Sequence, residues 1–125
     1  MVHLTQFVAV LDDDESVRRA LKRLLHSVGV QVETFSSGEA FLDTLSPATS
    51  SVPVCVIADF QMPGIDGLEL QRRMVRTGVP IIFITGNDDP AIRQKALAQG
   101  AAAYLTKPLD GAVLIRAVQI ALALR

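Results

Sequence analysis

The chain has 125 residues, of which 50% are hydrophobic and 20% charged, and its formal net charge is −1 at pH 7. This length predicts one domain, residues 1–125, and the lack of a basic surface excludes direct binding to nucleic acid or to an anionic membrane. The chain has no apolar run of the roughly 18 residues that a membrane span needs, no signal-peptide pattern, and only one cysteine, Cys55. We therefore expect a cytoplasmic protein without an internal disulfide.

Five short apolar segments predict five β-strands, and each is followed by a stretch with helical periodicity. The segments are residues 7–11, 30–35, 52–58, 80–84 and 102–105. Most are apolar at consecutive positions, which is typical of strands that are buried on both faces of a sheet. In the second segment Gln31 and Glu33 alternate with less polar residues, so this strand is predicted at an edge of the sheet.

The helices that follow these strands are predicted at residues 15–27, 37–45, 67–76, 90–99 and 111–124. The first has an apolar face that extends to Val28, and either Asp14 or Glu15 is expected to cap its N-terminus. Asp66 is expected to cap the third helix in the same way. A solvated face is predicted for the basic residues of the first helix, which are Arg18, Lys22 and Arg23.

Strands that alternate with helices at this spacing form right-handed βαβ units with helices on both faces of a parallel sheet. The predicted fold class is α/β, a doubly wound five-stranded parallel sheet flanked by five helices. Ligands of such sheets bind beyond the carboxyl ends of the strands. The polar residues predicted at those ends are Asp12, Asp13 and Asp14 after the first strand, Asp59 after the third, Thr85 after the fourth and Lys107 after the fifth.

The residue types at these strand ends indicate a site for a cation and a phosphoryl group. Asp12 and Asp13 are suitable ligands for Mg²⁺, and the alternative, helix capping, does not require both of them. Asp59 follows a buried run and is either a turn residue or a paired, coordinating or nucleophilic carboxylate. Lys107 supplies a point charge that can hold a carboxylate or a phosphate. Thr85 either simply ends its strand or donates a hydrogen bond to a phosphate oxygen.

These residues and the motifs around them resemble the receiver domain of two-component response regulators, and the resemblance covers essentially the full length of the chain. The resemblance implies the flavodoxin-like strand order 2-1-3-4-5 and a cis Lys107–Pro108 peptide bond. It rests on four segments in order, which are Val8-Ala9-Val10-Leu11-Asp12-Asp13-Asp14, Asp59-Phe60-Gln61-Met62-Pro63-Gly64, Ile84-Thr85-Gly86 and Tyr104-Leu105-Thr106-Lys107-Pro108.

The resemblance also implies a role for each acidic residue of the site and for Lys107. Asp59 is expected to accept a phosphoryl group from a sensor histidine kinase. Asp13, Asp59 and the backbone carbonyl of Gln61 are expected to bind Mg²⁺, or another divalent cation such as Mn²⁺, while Asp12 acts through a bound water. Lys107 is expected to pair with Asp59 and then with its phosphate.

Switching and lifetime are expected to depend on four further positions in this family. Thr85 is expected to follow the phosphate inward, and Tyr104 to turn from exposed to buried behind it. Gln61 and Asn87 occupy the two positions that tune the lifetime of the phosphoryl group. Both side chains are neutral amides that cannot act as a base at neutral pH, so a moderate lifetime is expected.

The fifth predicted helix is apolar around more than one face, so it is either deeply buried or forms part of a surface for a partner. The resemblance favours homodimerisation through helix 4, strand 5 and helix 5. It also favours transcriptional regulation through an output domain that lies outside this chain. A stand-alone receiver and a binding module that works without phosphorylation are the alternatives.

The chain lacks the sequence patterns of a phosphomonoester phosphatase, a dinucleotide site and a P-loop, so no conventional turnover enzyme is expected.

Overall fold

The computed structural model describes residues 6–45 and 52–123. Within them the chain alternates strictly between strands and helices. The strands are β1 Val8–Leu11, β2 Val32–Phe35, β3 Cys55–Asp59, β4 Ile81–Thr85 and β5 Ala103–Thr106. The helices are α1 Glu15–His26, α2 Gly38–Leu42, α3 Gly67–Met74, α4 Pro90–Ala98 and α5 Gly111–Ala123. A short 3₁₀ turn, Val75–Thr77, extends α3.

The five strands form one parallel sheet in the order β2-β1-β3-β4-β5. This confirms the predicted fold class and strand order, and it places β2 at an edge as its alternating sequence predicts. The register aligns the carboxyl ends of the inner strands, because Leu11 of β1 pairs with Ala58 of β3 and Asp59 pairs with Ile84 of β4. The residues at these ends therefore meet at one edge of the sheet.

The strands separate two apolar layers, because successive side chains of a strand point to opposite faces. Ala9 and Leu11 of β1 face one layer, and Val8 and Val10 face the other. The first layer takes its helical residues from α2, α3 and α4, which are Phe41, Leu70, Met74 and Ala96. The second takes them from α1 and α5, which are Leu21, Leu25, Leu114, Val118 and Ala121.

Helix α4 is attached to this core less extensively than the other long helices. Of its nine residues only Ala96 is buried. The side-chain amide of Gln71, which is itself buried in α3, donates a 2.8 Å hydrogen bond to the carbonyl of Ala96. Among the described residues nothing donates to the other amide atom, Gln71 Oε1. A single polar contact thus joins α3 to the second half of α4.

All five helices begin at side chains that cap their N-termini. The carboxylates of Asp14, Asp66, Asp89 and Asp110 accept backbone N–H groups of α1, α3, α4 and α5, and the Ser37 hydroxyl does so for α2. Each cap satisfies donors that have no partner within the helix. The capping roles predicted for Asp14 and Asp66 are confirmed.

Several predicted boundaries are wrong by two or three residues, for reasons that lie outside the apolar pattern. β2 begins at Val32 instead of residue 30 because the amide of Val30 bonds the carbonyl of Leu25 and so closes the end of α1. Gly29 makes this closure possible with a φ of 81°. Val28 lies beyond the helix and is 46% exposed, so its predicted place on the apolar face is wrong.

The second helix and third strand are shorter than predicted, and the fifth strand is shifted by one residue. α2 ends at Leu42 instead of residue 45, because Thr44 turns back and bonds the carbonyl of Phe41 through both its amide and its hydroxyl. β3 begins at Cys55 instead of residue 52, and β5 runs one residue later than predicted. Residues 46–51, predicted as a loop, and residue 124 lie outside the described residues. None of the helices in the described ranges is long and apolar enough to cross a membrane.

Candidate functional site

The carboxyl edge of the sheet collects the residues that were predicted to form the site. Asp12 directly follows β1, Asp59 is the last residue of β3, Thr85 is the last residue of β4 and Lys107 directly follows β5. The backbone amide of Lys107 bonds the carbonyl of Thr85 at 2.7 Å, so the end of β5 is fixed to the end of β4. The Lys107–Pro108 peptide bond is cis, as predicted.

Three carboxylates meet at this edge. Asp12, Asp13 and Asp59 each place a carboxylate oxygen within 4.8 Å of the other two. Asp12 and Asp59 are buried, whereas Asp13 is exposed. A set of oxygen donors at this spacing is what a hard divalent cation such as Mg²⁺ prefers. The residues present therefore fit such an ion.

Lys107 lies between two of these carboxylates. Its Nζ is 3.2 Å from Asp12 Oδ2 and 3.4 Å from Asp59 Oδ2, which makes two charge-assisted hydrogen bonds. Pairing with Asp59 was predicted from the resemblance, whereas the bond to Asp12 was not. One ammonium among three carboxylates leaves the site with an excess of negative charge when all are ionised. That excess attracts a cation.

The pKa shifts of the site follow from burial and from this pairing. Burial raises the pKa of Asp59 above its ordinary value, although the amide of Gln61, 3.1 Å from Asp59 Oδ1, and the charge of Lys107 act in the opposite direction. Burial alone would lower the pKa of Lys107, but the carboxylates of Asp59 and Asp12 outweigh it, and the pKa lies above its ordinary value. Lys107 is therefore charged at neutral pH.

The peptide group that joins Asp12 to Asp13 accepts a hydrogen bond from Arg18, a contact that the sequence did not predict. Arg18 was predicted to lie on a solvated face, but it is half-buried and its Nη1 lies 2.6 Å from the carbonyl oxygen of Asp12. Lys22 and Arg23 are exposed as predicted. The reason is the direction of helical side chains, which tilt toward the N-terminus. Because Arg18 is in the first turns of α1, that tilt brings it back to the end of β1, and this signal was available in the sequence.

The loop after β3 is held by α2. The amide of Gln61 turns back onto Asp59, and Gln61 itself is exposed. Further along the loop, Glu39 Oε2 accepts the amide of Ile65 at 3.3 Å, and Gly64 has a φ of 90°. A Cβ at Gly64 would collide with the Glu39 carboxylate. Sequence reasoning did not assign a role to Glu39, and the glycine opposite it was the available signal.

Thr85 lies at the other side of the pocket and is buried. Its hydroxyl donates to the carbonyl of Asn87 and accepts the amide of Asn87, both at 3.1 Å. The Asn87 residue is exposed. The loop after β4 therefore folds over the Thr85 hydroxyl.

Tyr104 occupies a buried position between β5 and α4. Its ring packs edge to face against Phe60, with centroids 5.9 Å apart. The guanidinium of Arg93 lies 5.1 Å from the centroid of the Tyr104 ring and forms a 3.4 Å ion pair with Asp88. Burial raises the pKa of the Tyr104 hydroxyl, although a contact with Thr85 acts in the opposite direction. The contact with Arg93 was not predicted from the sequence.

An apolar groove of about 400 Å³ lies beside Lys107. It is formed by α1 on one side and by the segment between β5 and α5 on the other. The residues that line it are Ser16, Val17, Ala20, Leu21, Leu24, Lys107, Pro108, Leu109 and Gly111. The groove gives the acidic pocket a neighbouring surface on which another molecule can rest.

Fold and site together define a doubly wound α/β protein with an acidic, lysine-bridged pocket at the carboxyl edge of its sheet. Residues 8–119 match the family model of the response regulator receiver domain, and the chain belongs to that family. The predicted family is thereby confirmed.

Known relatives and solved structures agree with this assignment. The chain is 39% identical over 119 residues to the response regulator protein TodT of Pseudomonas putida, a match that covers 94% of this chain and 51% of TodT. It is 40% identical over 117 residues to the transcriptional regulatory protein FixJ of Azorhizobium caulinodans, covering 92% of this chain and 54% of FixJ. The chain thus spans about half the length of these curated relatives.

Among solved structures, the chain resembles a response regulator receiver protein from Burkholderia phymatum. The two share 53% sequence identity and superpose with a TM-score of 0.85. The match covers 95% of this chain and 96% of that protein. The receiver fold therefore accounts for nearly the whole chain.

Proposed function

We propose that this receiver is a phosphorylation-dependent switch in which Asp59 accepts a phosphoryl group from a sensor histidine kinase. The observation that carries the proposal is the position of the Lys107 ammonium, which bonds both Asp12 and Asp59 at the acidic edge of the sheet. A carboxylate beside a fixed positive charge and a cation site can attack phosphorus, because the negative charge that develops in phosphoryl transfer is stabilised there.

Of the three carboxylates, Asp59 is the best candidate for the nucleophile. The side chain of Asp12 is fully buried and cannot meet a donor, and Asp13 is exposed but does not contact Lys107. The side chain of Asp59 is 10% exposed and bonds Lys107. An oxygen of Asp59 forms the new bond to phosphorus while the bond between phosphorus and the kinase histidine nitrogen breaks, which leaves an acyl phosphate on Asp59.

A divalent cation completes the proposed site. Asp13, Asp59 and the carbonyl of Gln61 would hold Mg²⁺ or Mn²⁺ directly, and Asp12 would hold it through a water. When bound, the ion supplies positive charge to the oxygens of the transferred group. Lys107 moves its pairing from the carboxylate to the new phosphate, and Asp12 keeps the ammonium in place.

Thr85 and Tyr104 would pass the change on to the surface. The Thr85 hydroxyl is engaged with Asn87, and a phosphate at Asp59 competes for it as a stronger acceptor. Movement of Thr85 changes the space next to the buried Tyr104 ring and thus the α4 surface. Gln61 and Asn87 would tune how long the phosphate persists. The chain would in this way assist its own phosphorylation and dephosphorylation without being a conventional turnover enzyme.

The proposed partners are a sensor histidine kinase, a second receiver and an output domain. The groove beside Lys107 offers the kinase an apolar surface next to Asp59. Leu97 of α4 and Val113 and Ile120 of α5 are exposed apolar residues, which supports homodimerisation through α4, β5 and α5. Relatives named as transcriptional regulators are about twice as long as this chain, so we propose transcriptional output and a cytoplasmic location.

The test of this function is chemical labelling. Incubation with acetyl phosphate and Mg²⁺ is expected to add one phosphoryl group to the wild-type chain, as measured by intact-protein mass spectrometry. Asp59→Asn is expected to abolish the addition, whereas Asp43→Asn, which changes an exposed carboxylate at the end of α2, is expected to leave it intact. Undiminished labelling of the Asp59 variant would contradict the assignment. A wild-type chain that resists labelling would favour the phosphorylation-independent binding module.

A further inference from the structure

The contact between Arg18 and the end of β1 is not used by the mechanism proposed above. Arg18 is the fourth residue of α1, and its side chain turns back by one helical turn to reach the carbonyl oxygen of Asp12 at 2.6 Å. The neighbouring Arg19 has an ordinary surface environment, since it is exposed and pairs with Glu15 at 2.8 Å. The two adjacent arginines thus differ in what they contact.

The position of Arg18 is unfavourable for the helix itself. The N-terminal turns of a helix carry a partial positive charge, so a cation there is disfavoured by the helix dipole. Asp14 and Glu15 provide the negative charge that this end of α1 prefers. The guanidinium of Arg18 therefore does not stabilise α1 through its charge, and its bond to Asp12 calls for a different reason.

That bond fixes the peptide unit that joins Asp12 to Asp13. A peptide unit is planar, so holding the carbonyl oxygen of Asp12 also sets the position of the Asp13 Cα. The rest of Asp12 is already held, because its amide bonds Phe35, its Oδ1 accepts the amide of Asp14 and its Oδ2 bonds Lys107. The carbonyl is the one further polar group of Asp12, and Arg18 holds it.

Asp13 depends on this peptide unit more than the other two carboxylates do. Asp12 and Asp59 each receive hydrogen bonds from a backbone amide and from Lys107. Within residues 6–45 and 52–123, no group donates a hydrogen bond to the Asp13 carboxylate. Its backbone therefore sets where its Cα–Cβ bond points, and no other contact among these residues orients it.

We infer that Arg18 is a positioning residue for the cation site, which holds the Asp12–Asp13 peptide unit so that the Asp13 carboxylate faces Asp59. The inference rests on the proposed function, because it concerns the same divalent cation. Partners of metal ligands typically affect metal affinity by 10–100-fold when they are removed. We expect the loss of the Arg18 contact to weaken metal affinity by an amount at the lower end of this range, because Arg18 contacts a backbone group and not a ligand side chain.

The charge of Arg18 makes the test decisive. Removing a positive charge near the site strengthens the attraction of the acidic pocket for a cation, whereas losing the contact with Asp12 weakens binding by leaving Asp13 less well placed. The two effects have opposite signs. Weaker binding by a folded neutral variant of Arg18 is therefore explained by lost positioning and not by the lost charge.

The experiment measures Mg²⁺ affinity by isothermal titration calorimetry. Arg18→Met, which keeps the apolar stem, is expected to raise the Kd for Mg²⁺ about 10-fold, and Arg18→Lys, which keeps a charged donor, is expected to restore part of the affinity. The matched control Arg19→Met removes an equal charge one residue further along and is expected to bind Mg²⁺ as well as the wild type or more tightly. In the metal-free protein, the amide resonance of Asp13 is expected to shift in Arg18→Met and not in Arg19→Met.

The outcomes separate this inference from the proposed function. A wild-type chain that does not bind Mg²⁺ would overturn both. A wild-type chain that binds Mg²⁺, with a folded Arg18→Met variant that binds it equally or more tightly, would overturn the role of Arg18 alone. If Arg18→Met does not fold, Arg18→Ala replaces it, because alanine favours the helix and removes the donor, and Mg²⁺ affinity equal to or above that of the wild type with an unshifted Asp13 amide would overturn the role of Arg18.

Discussion

At the scale of single residues, three aspartates with the same side chain have three different surroundings. Asp12 is buried and forms hydrogen bonds through its backbone and its carboxylate. Asp59 is also buried, with its side chain 10% exposed, and it bonds Lys107, whereas Asp13 is exposed. Burial penalises the charged form of a carboxylate, and a nearby ammonium favours it. The environment, rather than the residue type, therefore distinguishes the residues that we propose as a fixed anchor, a nucleophile and a metal ligand.

Tyr104 provides a prediction at the same scale because it is the only tyrosine, and the chain has no tryptophan. Burial raises the pKa of its hydroxyl, so the folded protein should keep this proton to a higher pH than the unfolded chain. Tyr104 then contributes stability that is complete below the unfolded pKa, which is about 10, and is lost as the pH rises through the folded pKa.

The measurement for Tyr104 is titration of the tyrosinate absorbance. The midpoint in the native protein is expected to lie above that of the same chain in denaturant, which serves as the control. A native midpoint at or below the denatured one would show that the ring is exposed and that Arg93 and Phe60 do not enclose it.

At the scale of elements, α2 and the loop after β3 fit together through two glycines. Gly38, the first residue of α2, leaves room for the side chain of Ile65 in the loop, and Gly64 in the loop leaves room for Glu39 of α2. Each segment therefore lacks a Cβ where the other inserts a side chain. This reciprocal fit holds the loop that carries Gln61 without a direct contact to the site.

Gly38→Ala tests this fit. Alanine is ordinarily better than glycine in a helix by about 1 kcal/mol, but a Cβ at residue 38 would lie 2.7 Å from two atoms of Ile65. We expect the clash to prevail and to lower the free energy of unfolding by about 1–3 kcal/mol. The measurement is urea denaturation.

Gly111→Ala is the matched control for Gly38→Ala. Gly111 is likewise the first residue of its helix, and a Cβ there would lie no closer than 3.3 Å, next to the flexible end of Leu24. We expect this variant to unfold at nearly the wild-type urea concentration. Equal stability of the two variants would mean that Ile65 moves aside freely and that the fit does not hold the loop.

The strands and helices also show which structural features the sequence alone predicts. Apolar periodicity and strand-end polarity were sufficient for the fold class and for gathering Asp12, Asp59, Thr85 and Lys107 at one edge, whereas the strand order was implied by the resemblance to receiver domains. Boundaries were less predictable because single backbone bonds decide them, as where the amide of Val30 closes α1 instead of opening β2.

Contacts between distant segments were the least predictable part of the site. Lys107 and Asp12 lie 95 positions apart, and Glu39 and Ile65 lie 26 apart, so no local pattern links them. The strand order predicts that such segments approach each other, but the choice of hydrogen-bond partner depends on the final packing. Arg18 is the exception, because the backward tilt of helical side chains is a local rule.

At the scale of the whole molecule, the site lies at the edge where the two apolar layers meet. The groove that we propose for a phosphodonor is lined by α1 and by the segment that leads into α5, while Thr85 and Tyr104 lie on the side of α4. Exposed apolar residues continue from α4 to α5, where Ile120 is 51% exposed. In the proposed switch, one surface would thus receive the phosphoryl group while another responds to it.

The proposed dimer gives the prediction at this scale. Beryllofluoride with Mg²⁺, which imitates the phosphate, is expected to double the mass measured by size-exclusion chromatography with light scattering. Ile120→Ser is expected to keep the chain monomeric under the same conditions. Val75→Ser is the control, because Val75 is 70% exposed but lies in the turn after α3. Dimers that persist in Ile120→Ser and disappear in Val75→Ser would place the contact at the turn after α3 instead.

The sparse attachment of α4 has a consequence for the energy of signalling. Most of the free energy that keeps a helix folded in a protein comes from the apolar face it buries. In α4 only Ala96 is fully buried, Ile92 is partly buried, and one bond comes from Gln71. Elements held this weakly open and shift while the rest of a protein stays intact. If a ligand or modification favours one of two arrangements of α4, a modest difference in its interaction free energy is then enough to change their populations. In the proposed switch, one modified side chain at the sheet edge would therefore change the outer surface of α4 without lowering the stability of the core.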